Sequence, residues 1–263
     1  MSVGQPVARR EDQRFLTGRG RYTDNTAPAD AAHVLFVRSP HAHARVVGID
    51  KEAGRAAPGV IAIFTSVDTA GDGLGHLPCI SEIKDPAGNR HREPAHLPMA
   101  VGKVRHVGDI VAMVVAGTLE QARDAAELLA VDYEELPAVV TVAQALAPGA
   151  PLVHDEVAGN LMCHWQRGNA AATDAAFAKA AHVSSLLIRS PRQIVHYMET
   201  RAAWSSWEAA SDTATVTLSS QGVQIPHRLM CERVLNLAKD KLRLITQDVG
   251  GGFGPKYPIS AES

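Results

Sequence analysis

The chain has 263 residues, 46% hydrophobic and 21% charged, which suits one large or two ordinary domains and excludes a disordered composition. Its 26 basic and 28 acidic residues leave a net charge of −2 with no basic run, so charge gives no ground for a nucleic-acid or membrane-surface partner. No apolar stretch approaches the roughly 20 residues that span a bilayer, and Glu11 and Asp12 follow the Arg9–Arg10 pair where an export signal needs apolar residues, so a cytoplasmic chain is expected.

The first 25 residues, polar and arginine-rich, predict an irregular arm. A strand is predicted over His33–Arg38, stopped by Ser39-Pro40, and a second over Val46–Asp50. Asp50 is placed to cap a short helix running through Ala57, ended by Pro58-Gly59. Val60–Phe64 has the look of a buried strand. Residues 66–98, dominated by Gly, Pro, Asp and His, predict a long loop. Ile110–Ala116 is another buried strand, and Thr118 with Gln121 forms a capping box for a helix to about Leu129. A strand over Val131–Tyr133 leads to a proline-punctuated linker over 137–160. Beyond it, a short helix is predicted from Thr173-Asp174, then strands over Val183–Ile188, Ala202–Glu208 and Thr213–Ser219. Helical spacing over Pro226–Leu237 and a last strand over Leu242–Ile245 complete the pass. Strands and helices without strict alternation favour an α+β class.

Three segments carry chemistry. Gly250-Gly251-Gly252-Phe253-Gly254 follows the last strand. Glycines permit positive φ and close backbone approach, and successive bare N–H groups can form a nest for anionic or polar atoms. A tight structural turn is the equal alternative. A dinucleotide fingerprint is not met, because Pro255 stands where its third glycine would fall, and no Gly-Lys-Ser/Thr follows. Gln221, in Ser219-Ser220-Gln221-Gly222, offers an amide donor and acceptor at a strand end, against the plainer reading of a polar terminus facing solvent. Glu199 and Arg201 would share a strand face and pair, with a catalytic acid at Glu199 as the alternative.

The remaining candidates are weaker. His41 and His43 lack a third ligand, so no metal site is assigned. Trp165, Trp204 and Trp207 are read as core or interface anchors. Cys79, Cys163 and Cys231 are far apart and in no metal-binding pattern, so each is expected to be a free, at least partly buried thiol.

Taken together, ordered segments resemble one family. Phe15-Leu16-Thr17-Gly18-Arg19-Gly20-Arg21-Tyr22-Thr23-Asp24, Phe36 to Ala44, Lys103 to Asp109, Val131 to Val139, Met198-Glu199, Ser220-Gln221 and Gly250 to Gly254 are similar to molybdenum-binding large subunits of the xanthine dehydrogenase/aldehyde oxidase family, of the aerobic carbon monoxide dehydrogenase type. Thr200 stands where the family commonly has proline, and residues 162–170 match poorly.

The resemblance implies an arm over 1–16, an α/β-hammerhead domain over 17–135, a linker over 136–160 and the beginning of a molybdenum-cofactor-binding α+β domain over 161–263. It implies that Gln221 donates to an oxygen ligand of molybdenum, and that Gly251, Gly252, Phe253 and Gly254 lie against the molybdopterin cofactor. The implied reaction is oxidation of a small molecule of the aldehyde, N-heterocycle or carbon monoxide class, with water as oxygen source. Electrons would pass to 2Fe-2S and FAD centres on an iron–sulfur subunit and an FAD subunit. The family's base glutamate and substrate loop fall beyond residue 263. The expectation is therefore a partial site, inactive alone and completed by further large-subunit sequence or by a separate chain. The alternative is an inactive fragment that serves only as a folded interaction module.

Overall fold

A computed structural model describes residues 3–262. Helix α1 (Asp12–Leu16) and a 3-10 turn (Thr23–Thr26) precede β1 (His33–Arg38), β2 (Ala44–Asp50), α2 (Glu52–Arg55), β3 (Val60–Thr65), α3 (Ser66–Gly71) and β4 (Lys103–Val104). Next come β5 (Ile110–Ala116), α4 (Leu119–Glu127), β6 (Ala130–Glu135), α5 (Val142–Ala145) and α6 (Ala170–Lys179). Last are β7 (Ala203–Glu208), β8 (Thr213–Leu218), α7 (Gln224–Leu229), a π-helical turn (Met230–Val234) and β9 (Leu242–Ile245). The class is α+β, as expected. Two compact units divide the chain. One comprises Met1–Pro78, His96–Leu136 and Tyr197–Ser263, and the other Cys79–Ala95 and Pro137–His196.

The first unit holds three three-stranded sheets, ordered β1-β5-β3, β4-β2-β6 and β7-β8-β9. Strand β5 is the anchor because its run of Val, Ile and Ala suits a pleat buried on both faces. Val114 and Ala116 face one side and meet Ile63 of β3 and Ala122 and Ala125, part of the apolar stripe of α4. On the opposite side Val111 meets Ala44 and Val104 of the second sheet. Val111 and Val114 have no exposure, and burying each valine contributes about 1.5–3 kcal/mol. The predicted capping box holds α4 in register: Thr118 Oγ1 accepts from Gln121 N–H at 3.2 Å, and Gln121 Oε1 from Thr118 N–H at 3.1 Å.

In the third sheet β8 pairs antiparallel with β7 and parallel with β9. Helix α7 and the π-turn make the crossover between the two parallel strands. They bury Met230 and Cys231 against Val216, Leu218 and Leu242. Both parallel strands therefore end on the same edge, and β8 delivers Ser219–Gln221 there.

Several sequence expectations change. The arm is irregular over most of its length, as expected, but it also holds α1 and the 3-10 turn. The long loop begins with α3, whose Thr65 hydroxyl and Asp68 carboxylate make a capping box that a loop-like composition hid. In the second unit α5 interrupts the linker region, capped by Thr141 and Gln144. Helix α6 starts before Thr173 because Asn169 Oδ1 accepts from Ala172 N–H at 3.0 Å. Val183–Ile188 forms no strand. Among the described residues no neighbouring strand pairs with it, and Leu186, Leu187 and Ile188 stand exposed.

Candidate functional site

Three segments of the first unit converge beyond the ends of β8 and β9: residues 197–201, 219–222 and 248–256. The open edge outside the carboxyl ends of parallel strands is where such sheets place ligands, since backbone leaves the sheet there without crossing it. Both sequence-predicted motifs lie at this edge and touch. Gly254 N–H donates to Gln221 Oε1 at 2.7 Å. Gln221 N–H donates to Lys256 O at 3.1 Å. With its oxygen taken, the Gln221 amide keeps its NH₂ end free of any acceptor among the described residues, and the side chain is exposed.

Each glycine of the loop has its own reason. A Cβ on Gly250 would lie 2.5 Å from Glu199 Cβ, and one on Gly252 would lie 2.5 Å from Gln221 Cγ. Gly251 adopts φ +99° with the Phe253 ring 2.7 Å from where its Cβ would be. Gly254 adopts φ +103° beside open space. Phe253 takes φ 50° and leaves its ring 75% exposed. The N–H groups of Gly251, Gly252 and Phe253 have no acceptor among the described residues. Three successive bare donors, an exposed ring and a free amide NH₂ fit a cofactor rich in oxygen and phosphate acceptors.

Glu199 does not pair with Arg201. Residues 198–202 are irregular rather than a strand, so the two side chains diverge. Arg201 donates to Pro255 O. Glu199 Oε2 instead accepts from Lys256 Nζ and Gly250 N–H, each at 2.8 Å, and from the Ser219 hydroxyl at 2.7 Å. Burial alone would raise the Glu199 carboxyl, but these donors outweigh it and hold the group below its ordinary value.

The arm is anchored at the root of the loop. Arg14 grips Asp248 with both Nη atoms, the Nη2 contact at 2.7 Å, and Arg21 N–H donates to Asp248 Oδ2 at 2.7 Å. Asp248 is held below the usual carboxylate range mainly by Arg14. Sequence reasoning missed Lys256, Arg14 and Asp248. Their partners lie 57 and 234 positions away, which no local pattern signals.

The lesser candidates lie elsewhere. The His41 ring sits 4.7 Å from Tyr133, with its Nδ1 3.5 Å from Glu135. No group of three His, Cys, Asp or Glu side chains that would hold a metal occurs among the described residues. Trp204 donates to Thr26 Oγ1, but Trp165 and Trp207 are exposed rather than core. Cys231 is buried and Cys163 half-buried. Cys79 is exposed, against the expectation of an at least partly buried thiol.

Comparison with known proteins adds a second line. Residues 17–137 match the family described as aldehyde oxidase and xanthine dehydrogenase, a/b hammerhead domain, and residues 153–263 match the molybdopterin cofactor-binding domain. The carbon monoxide dehydrogenase large chain of Hydrogenophaga pseudoflava is 33% identical over 264 residues, 95% of this chain and 31% of that protein. The nicotine 6-hydroxylase large subunit of Paenarthrobacter nicotinovorans is 33% identical over 263 residues, 99% of this chain and 31% of that protein. The structure of quinoline 2-oxidoreductase from Pseudomonas putida 86 superposes with a TM-score of 0.89 at 33% identity, covering 99% of this chain and 32% of that one. The chain thus spans about a third of the length of these relatives.

Proposed function

The chain belongs to the aldehyde oxidase and xanthine dehydrogenase family, and from that premise we propose that it supplies one wall of the site for a molybdenum–molybdopterin cofactor in an oxidoreductase complex. The observation that carries the reading is the open donor set: the Gln221 NH₂ beside the bare N–H groups of Gly251, Gly252 and Phe253. When bound, the cofactor supplies the two-electron oxidation of a small substrate with water as oxygen source. In this reading Gln221 is the residue nearest the chemistry, its NH₂ donating to an oxygen on the cofactor side. Gly251 to Gly254 give close backbone approach, and the Phe253 ring excludes water.

The relatives' names span carbon monoxide, nicotine and quinoline. The proposed substrate is accordingly a small molecule of the carbon monoxide, aldehyde or N-heterocycle class. An iron–sulfur subunit and an FAD subunit are proposed to take the electrons, in the cytoplasm. No described helix is long and apolar enough to cross a membrane. Leu186, Leu187, Ile188 and Ile194 are each at least three-quarters exposed, which favours work within a larger assembly over life as a lone module.

Gln221→Glu in the assembled complex tests the reading. A carboxylate still accepts the Gly254 N–H, so fold and assembly should stay near wild type. It loses the donor and brings negative charge to the site, so turnover should fall by about 10²–10³. Wild-type turnover at full molybdenum content would leave Gln221 a polar strand end.

A further inference from the structure

Lys256 lies outside the motifs that point to the cofactor, yet its side chain has no exposure at all. A buried ammonium is tolerated only when partners take its donors. Nζ donates to Glu199 O and Glu199 Oε2, each at 2.8 Å, and lies 4.6 Å from the centre of the Tyr197 ring. That same Oε2 collects the Ser219 hydroxyl and the Gly250 N–H. At its other end, the Lys256 carbonyl accepts from the Gln221 N–H and from the Ser220 hydroxyl, each at 3.1 Å. One residue thus ties together residues 197–199, 219–221 and the glycine loop. The sheet beneath does not depend on it, because its core is Val216, Leu218, Met230, Cys231 and Leu242.

Resting on the reading of Gln221 and the loop as cofactor contacts, we infer that Lys256 is a positioning residue for that site. Its ion pair with Glu199 fixes the Gln221 amide and the row of open N–H groups at one mutual spacing. Lys256 touches neither cofactor nor substrate. It acts through Gln221, by way of its carbonyl, and through the loop, by way of Glu199 and Gly250.

Lys256→Met keeps the length of the side chain and removes the ammonium. It also leaves Glu199 as an uncompensated buried carboxylate, which costs the fold itself. A second variant, Glu199→Gln with Lys256→Met, removes both charges and separates the two effects. In both variants, hydrogen exchange at the Gln221 and Gly254 amides should quicken by about tenfold or more, while β5 amides keep their rates. Molybdenum per chain in the purified complex should fall in both, and the double variant should nevertheless regain the wild-type melting temperature.

Recovery of melting temperature, amide protection and molybdenum together in the double variant would reduce the pair to a structural ion pair and overturn the inference. Unchanged exchange in Lys256→Met would do the same. Gln221→Ala, run alongside, separates the two levels. Full molybdenum and full turnover in that variant would remove the cofactor reading itself. Impairment there, with normal loading of the double variant, would remove only the role given to Lys256.

Discussion

Gly252→Ala joins the two motifs in one perturbation. The added Cβ would stand 2.5 Å from Gln221 Cγ and 2.7 Å from both its Cδ and Oε1. Gly252 has no left-handed φ, so alanine fits the backbone and only the contact with Gln221 must give. Because Gln221 is exposed, it can swing outward, at the cost of its bond from Gly254 N–H. One such bond is worth about 1 kcal/mol net, which in a chain of this size lowers the melting midpoint by roughly 2–4 °C. The functional loss should be far larger. If the Gln221 NH₂ faces the reacting centre, its displacement removes a positioned donor and costs about 10²–10³ in turnover. Gly254→Ala provides the contrast. Open space surrounds that position, but its φ of +103° imposes strain on the order of 1–2 kcal/mol without a push on Gln221. The assay is turnover per molybdenum in the purified complex, beside the melting midpoint of each variant. Gly252→Ala with turnover within about twofold of wild type would refute the reasoning, because a displaced Gln221 would then have cost nothing.

Two further outcomes concern charge. Thr65 N–H first, then Lys51, holds Asp68 down to about 2 from an ordinary 3.8, so its capping of α3 persists in mild acid and fades only as the pH falls from about 4 towards 2. Asp68→Ala should lower stability at neutral pH by about 1 kcal/mol, read as a denaturation midpoint, and an unchanged midpoint would deny the cap. Glu199 is also depressed, so its contribution is fully present above an ordinary value of 4.5 and is lost as the pH falls through the lower folded value. The difference in melting temperature between wild type and Glu199→Gln should accordingly shrink on going from about pH 6 to below pH 4, and a constant difference would contradict the ion pair.

The sequence was most legible where one physical preference acts alone. Strands β1, β5 and β9 begin and end at the predicted residues, because runs such as Ile110–Ala116 suit only a buried pleat. The capping box of α4 is legible because an alanine-rich apolar stripe follows it. The same boxes at Thr65 with Asp68 and at Thr141 with Gln144 carry no such signal, since α3 and α5 span 6 and 4 residues and have no stripe. Val183–Ile188 shows the opposite failure. Its apolar run Leu186-Leu187-Ile188 invites a strand, but a strand needs a partner and the described residues provide none. At the site, Gln221 and the glycine cluster were each visible locally. Their contact with one another, and the closing of both by Lys256, arise only when parallel β8 and β9 end side by side.

The glycine cluster began with two readings of equal standing, a tight turn and a ligand loop, and the structure gives each something definite to answer for. Packing accounts for the missing side chains at Gly250, Gly251 and Gly252, since each Cβ would run into Glu199, Phe253 or Gln221. Glycine content by itself therefore says nothing in favour of a ligand. Within the loop one N–H turns back on its own chain, that of Tyr257 to Gly254 O at 3.0 Å. The N–H groups of Gly251, Gly252 and Phe253 are not used in that way. Meanwhile the loop is braced from below by Glu199 and Lys256, and at its root by Arg14 through Asp248. Bracing of this kind beneath a row of unclaimed donors suits a pre-organised binding surface, and on that ground, rather than on the count of glycines, we propose the loop as a ligand loop.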